Sequence, residues 1–161
     1  MENEKFAFVI DSTTKIYKFI EGNYKQIIST NSAFAFGTNV KIEQKRLNLD
    51  KFKDVLVEIP SGGMGGSEFL FLFYNPTTKS FDYDYETELR NIEFDIKKQK
   101  VVSHYQWSKA TFVLENNKFR KIDQTYYLRF SSAKEEFIDK EQVTKYDKEG
   151  RIVSIDTVKI E

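Results

Sequence analysis

The chain reads as an all-β protein assembled from antiparallel hairpins. Three observations carry that reading. Apolar and polar residues alternate with a period of two along most of its length. Turn signals separate these runs every ~8–12 residues, the spacing of a sandwich, barrel or propeller. A hairpin pattern also occurs twice, as FVIDSTTKIY at 8–17 and LFYNPTTKSF at 72–81.

Each copy of that pattern has three large apolar residues, Asp or Asn, Thr-Thr-Lys and then an aromatic. Asp11 corresponds to Asn75 and Lys15 to Lys79. An Asp or Asn side chain at this place bonds backbone two residues on, and Pro presets φ, so each copy is a strand, a tight turn and a returning strand. A unit used twice points to a repeat-built β protein.

Strands are expected in order at 6–10, 16–20, 24–29, 40–43 and 54–59. Residues 69–74, FLFLFY, are apolar on both faces, so this strand is expected to be central and covered on both sides. In 81–86, FDYDYE, Phe81, Tyr83 and Tyr85 share one face while Asp82, Asp84 and Glu86 share the wet one. Ile92, Phe94 and Ile96 alternate with Glu93 and Asp95. Further strands follow at 101–107, 110–114, 118–122, 125–130, 143–146 and 151–159. The turns EGN (21–23), ENNK (115–118) and KEG (148–150) each precede an apolar strand interrupted by basic residues. One short helix is the alternative to an irregular hairpin near 131–141, where Ser132 and Glu135 stand at capping-box spacing.

Composition narrows the function. The 161 residues are expected to form a single domain, 1–161, with enough length to bury a core. Aromatics reach 16%, with 15 Phe and 9 Tyr, which favours pleated, half-buried surfaces. Charges balance at 25 against 25, so the excess of Lys and Arg that holds nucleic acid or an acidic membrane is missing. With no cysteine, the chain builds no disulfide, thiolate zinc site or Cys nucleophile. MENEKF is polar and no apolar run approaches about 18 residues, so neither signal peptide nor membrane span is expected. The protein is then cytoplasmic, or a mature form of the periplasm or cell envelope.

Residues 47–60, LNLDKFKDVLVEIP, resemble the Asp-rich strand entry of FG-GAP/VCBS-type β-propeller repeats. The likeness continues through the glycine-rich loop SGGMGGS (61–67), an aromatic strand, a Tyr-Asn-Pro turn, ELRN (88–91) and a turn-strand ending in ENNKF. Over about residues 45–122 this order is similar to that of propeller-related bacterial immunity proteins of the lysozyme-inhibitor type. The resemblance implies a small propeller-like arrangement of hairpins, with a β-sandwich as the alternative. It also implies a non-catalytic inhibitor that occludes the active site of a lysozyme-like, peptidoglycan-degrading effector delivered by a secretion system. A carbohydrate- or protein-binding module of adhesion type is the alternative.

FG-GAP loops bind calcium through alternating oxygen ligands. Here Arg46 stands at the first acidic position and Lys51 replaces the turn glycine, which disfavours a cation needing about six to eight oxygens. Asn48, Asp50 and Asp54 are therefore expected to hydrogen-bond the turn backbone, and no cofactor is expected.

The partner-binding candidates are Ser61, Gly62, Gly63, Met64, Gly65, Gly66, Ser67 and Glu68, with Tyr105 and Trp107. Four glycines around Met64 let backbone approach another surface closely. In the inhibitor reading such a loop enters or covers the effector's cleft, and a nearby polar side chain faces its catalytic carboxylates. A plain hairpin connection is the competing account. Tyr105 and Trp107 are either core or a binding platform. His104 alternates with Val102 and Gln106, and the sequence marks no nucleophile or orienting acid beside it, so it is expected on a polar outer face. Asp82, Asp84 and Glu86 are expected to be a solvated strand face that could steer a basic partner.

Overall fold

In the computed structural model the described residues are 5–10, 14–30, 40–60, 66–84, 87–128 and 140–159. They form fourteen strands in antiparallel sheets, and among them there is no helix. The fold class expected from the sequence is therefore the one observed. The chain gathers into two compact units, residues 1–88 and 89–161.

The first unit holds two meanders. Strands β1 (Phe6–Ile10), β2 (Thr14–Ile20) and β3 (Asn23–Thr30) form one sheet in the order β1-β2-β3. Strands β4 (Lys41–Lys45), β5 (Asp54–Pro60), β6 (Ser67–Asn75) and β7 (Ser80–Tyr83) follow each other in the second. As the double-sided apolar run requires, β6 is flanked by β5 and β7, and Phe71, Leu72 and Phe73 are all buried. One face packs Val55, Val57, Ile59, Leu72 and Phe81 into a core. The other carries Phe71 and Phe73, whose rings stack with centroids 6.3 Å apart. Full burial of such side chains stabilises by about 1.5–3 kcal/mol each. The Lys18 ammonium, on β2, is buried and donates to the Lys79 carbonyl at the end of β6–β7.

The second unit has the short strand β8 (Leu89–Arg90) and one six-stranded sheet. That sheet comprises β9 (Ile92–Asp95), β10 (Lys100–Tyr105), β11 (Ser108–Glu115), β12 (Lys118–Leu128), β13 (Lys140–Tyr146) and β14 (Ile152–Lys159), in the order β14-β13-β12-β11-β10-β9. Its core face carries Val101, Ala110, Phe112, Leu114 and Phe119, all buried. Ser103 on that face is fully buried. Its hydroxyl donates to the Arg90 carbonyl at 3.0 Å and accepts the Arg90 N–H at 2.8 Å, so β8 is held without leaving a polar group dry. A propeller blade has four strands. The β9–β14 sheet has six.

Two readings need adjusting. The expected strands 118–122 and 125–130 are one strand as far as Leu128, because the register shift between Thr111 and Phe112 absorbs the interruption as a bulge in β12. The duplicated hairpin also closes differently in its two copies. Ile10 faces Thr14 in the first, whereas Asn75 faces Ser80 in the second, so Lys15 lies in a strand and Lys79 in a turn at φ 51°. Of the expected helix near 131–141, residues 131–139 lie outside the described residues, and Lys140 and Glu141 begin β13.

Candidate functional site

Three places could carry function, and each follows from local chemistry. The first is the Asp-rich entry to β5. Asn48 Oδ1 accepts the Asp50 N–H at 3.2 Å, and Asp50 Oδ1 accepts the Phe52 N–H at 2.7 Å, two successive Asx turns. Asp54 is fully buried. It accepts the N–H groups of Leu47 at 2.8 Å, Asn48 at 3.4 Å and Tyr74 at 2.9 Å. Burial pushes its carboxyl above the ordinary range against the pull of those three N–H groups, and the Asp50 charge adds to the rise. Asn48, Asp50 and Asp54 thus hydrogen-bond the turn backbone, as the sequence suggested, and Asp54 also reaches Tyr74 on β6. Among the described residues no group of three or more His, Asp or Glu side chains is placed to hold a metal ion.

The second place is the glycine-rich loop. Ser61, Gly62, Gly63, Met64 and Gly65 lie outside the described residues. Its downstream flank is ordered by β6. Gly66 is exposed with φ 74°, a conformation that favours glycine. Ser67 donates to Glu58 Oε1 at 2.8 Å; this bond first, then Lys41, holds the Glu58 carboxyl below its ordinary value. Glu68 faces Ile59 across the β5–β6 ladder and is buried, on the same face as the apolar core of the first unit.

The third place is one end of the six-stranded sheet in the second unit. Tyr105 closes β10 opposite Ser108, and Ser108 lies opposite Tyr126 on β12. The row continues through Gln142 on β13 to Thr157 on β14. Trp107 sits in the two-residue turn between β10 and β11, and its carbonyl accepts the Tyr127 N–H at 2.9 Å. Trp107 is 53% exposed and Tyr126 is 41% exposed, while Tyr105 is half-buried. Trp107 is therefore on the surface rather than in the core, and it does not share a strand face with Tyr105 as simple alternation suggests, because the turn intervenes. Tyr126 is a residue that sequence reading missed. Its doublet with Tyr127 is silent about which ring faces out: Tyr126 lies opposite the buried Ser108, yet it is exposed.

The remaining candidates take structural roles. His104 lies on the face opposite Ser103, and its Nε2 meets Glu93 Oε1 at 3.1 Å near solvent. Asp82 accepts the Asn75 side-chain N–H at 3.0 Å and is exposed, and Asp84 accepts the Thr87 hydroxyl at 2.9 Å. Tyr85 and Glu86 lie outside the described residues.

No family model matches the chain, and neither a curated protein nor a solved structure matches it.

Proposed function

We propose that this protein is a non-catalytic binding protein that meets its partner with the aromatic end of the 92–159 sheet. The observation that carries the reading is the exposure of Trp107 and Tyr126 at the end of the sheet where Tyr105 closes β10. Large aromatics half in water are costly to leave bare, and they dominate binding energy when a partner covers them. The resemblance over residues 45–122 adds the finer reading. The partner is a lysozyme-like, peptidoglycan-degrading effector, and the protein is its immunity-type inhibitor, acting by occlusion without turnover in the compartment where peptidoglycan is cut. The loop 61–68 then supplies a further contact.

A second reading is favoured by the row itself. Gln142 and Thr157 continue the line of Tyr105 and Tyr126, and a stacking ring beside amide and hydroxyl groups suits a sugar. The test is co-expression with the product of the adjacent gene, purification through a tag on that product, and assay of peptidoglycan lysis with and without this chain. A complex with suppressed lysis, lost in the Trp107→Ala/Tyr126→Ala double variant, supports the inhibitor. Saturable binding to glycan alone, lost in the same variant, selects the carbohydrate module. Equal binding by the variant and the wild type places recognition elsewhere.

A further inference from the structure

Among the described residues strand β14 is an edge of the six-stranded sheet, at the side opposite β9. The opposite edge, β9, reads IEFD and carries exposed Glu93 and Asp95, the usual charged guard against strand addition. β14 reads IVSIDTVK. On it Ile152 is 57% exposed, Val153 63%, Ile155 56% and Val158 54%. Four branched aliphatics in water on an edge strand combine an apolar surface with a row of backbone groups able to pair.

The sequence of that strand is close to self-complementary. Antiparallel pairing with an identical strand about a two-fold axis requires a residue to face itself. Centred on Ile155, the pairing sets Ile155 against Ile155, Ser154 against Asp156, and Val153 against Thr157. Each Ser hydroxyl thus meets a carboxylate acceptor, and the β-branched residues meet each other. The two neighbouring registers are worse. Centring on Asp156 sets two carboxylates face to face, and centring on Ser154 sets Asp156 against Ile152. Charge therefore selects one register. The ladder stops at Val153, because β14 bulges there: Lys145 faces Ser154 but Tyr146 faces Ile152. Beyond it, Arg151 comes to the register position of Lys159 of the second copy. Arg151 is already held by Asp147 at 2.8 Å and Glu149 at 2.9 Å, so no bare cation stands there.

We propose that β14 pairs antiparallel with β14 of a second copy of this chain, about a two-fold axis at Ile155, joining two six-stranded sheets into one. The pairing shares Thr157 with the row at the end of the sheet but does not rest on that reading.

The test is light scattering on the full chain across a concentration series. The wild type is expected to move from the 19.0 kDa chain mass toward twice that value. Ile155→Asp, which places two carboxylates on the axis, is expected to weaken self-association at least about tenfold. An equimolar mixture of Ile155→Asp and Ile155→Lys is expected to restore the dimer, with each variant alone monomeric. Ile155 is exposed, so both variants should melt like the dilute wild type; should Ile155→Asp not fold, Val153→Lys carries the same test. A wild type that stays monomeric at every soluble concentration overturns the proposal. So does a dimer indifferent to Ile155→Asp, or a monomer whose β14 instead takes a strand from an unlike protein.

Discussion

The Asp54 carboxylate accepts the backbone N–H of Tyr74 at 2.9 Å, across twenty residues of sequence. The β5–β6 ladder ends with Val55 opposite Leu72, so Tyr74 lies beyond it, and the side chain of Asp54 serves where a strand carbonyl would. The same carboxylate gathers the N–H groups of Leu47 and Asn48, fixing the chain's entry into β5. Asp54→Ala strips the acceptor from three N–H groups in a fully buried place. At about 1–3 kcal/mol for each unsatisfied group, with partial relaxation, the expected loss is about 3–4 kcal/mol in urea unfolding. Asp54→Asn keeps one oxygen and is expected to lose about half as much. An alanine variant that unfolds with the wild type would show that the loop is held by something else.

The turn 147–151 has the opposite electrostatics. Asp147 Oδ1 accepts the N–H groups of Glu149 and Arg151, both at 2.9 Å. The Arg151 N–H foremost holds the carboxyl below its ordinary value of 3.8. A folded-state value below the unfolded one means stability that is complete above about pH 4 and is lost as pH falls through the folded value. Burial raises Asp54 instead, so its titration favours the folded state as pH falls. The stability gap between wild type and Asp147→Asn should therefore close on acidification below about pH 4, and the Asp54→Asn gap should widen. Paired urea titrations from neutral to acid pH read both signs directly.

Leu49 stands at φ 64°, in the left-handed region, with its side chain 55% exposed. A branched residue there costs about 1–2 kcal/mol, and little packing offsets it. Glycine relieves that cost but loses roughly 0.5–1 kcal/mol of chain entropy. Leu49→Gly is thus expected to raise stability by about 0.5–1 kcal/mol. Gly150, at φ 78° with open space where a Cβ would go, should show the converse: Gly150→Ala loses about 1 kcal/mol with no clash. Thermal melts of both variants decide whether conformation alone sets these turns.

Much of this is legible in the amino-acid sequence. FLFLFY announces a central strand because no face of it can tolerate water, and Phe71, Leu72 and Phe73 lie buried accordingly. The turns EGN and ENNK close hairpins whose central residues, Glu21-Gly22 and Asn116-Asn117, all take positive φ, the geometry that matches strand twist. Asn75 Oδ1 accepts the Thr77 N–H at 3.0 Å, as an Asx turn demands. What stayed hidden was register. Identical Asp/Asn-x-Thr-Thr-Lys strings close in two ways, because flanking strand pairs, not the turn residues alone, choose the partner. The long strand β12 stayed hidden for the same reason, since a bulge and a turn look alike in a polar stretch such as Asp123-Gln124. Local sequence likewise does not say that Tyr126 lies opposite Ser108 and is exposed there.

Trp107 is the single tryptophan of the chain and stands 53% exposed in the β10–β11 turn. Phe73, by contrast, is fully buried in β6. Phe73→Ala should cost about 3–5 kcal/mol through lost burial and the cavity left behind. Trp107→Ala should stay within about 1 kcal/mol of wild type, as most changes away from packed sites do. The same exposure makes Trp107 a built-in reporter of recognition. Its emission in the free protein should lie at the wavelength of a solvated indole and be quenched readily by acrylamide. A partner seated on Tyr105, Trp107 and Tyr126 removes water from the ring, so emission should shift to shorter wavelength and quenching should fall. Binding that leaves both unchanged would mean that the partner docks away from this end of the sheet, and the exposed aromatics would then need another explanation.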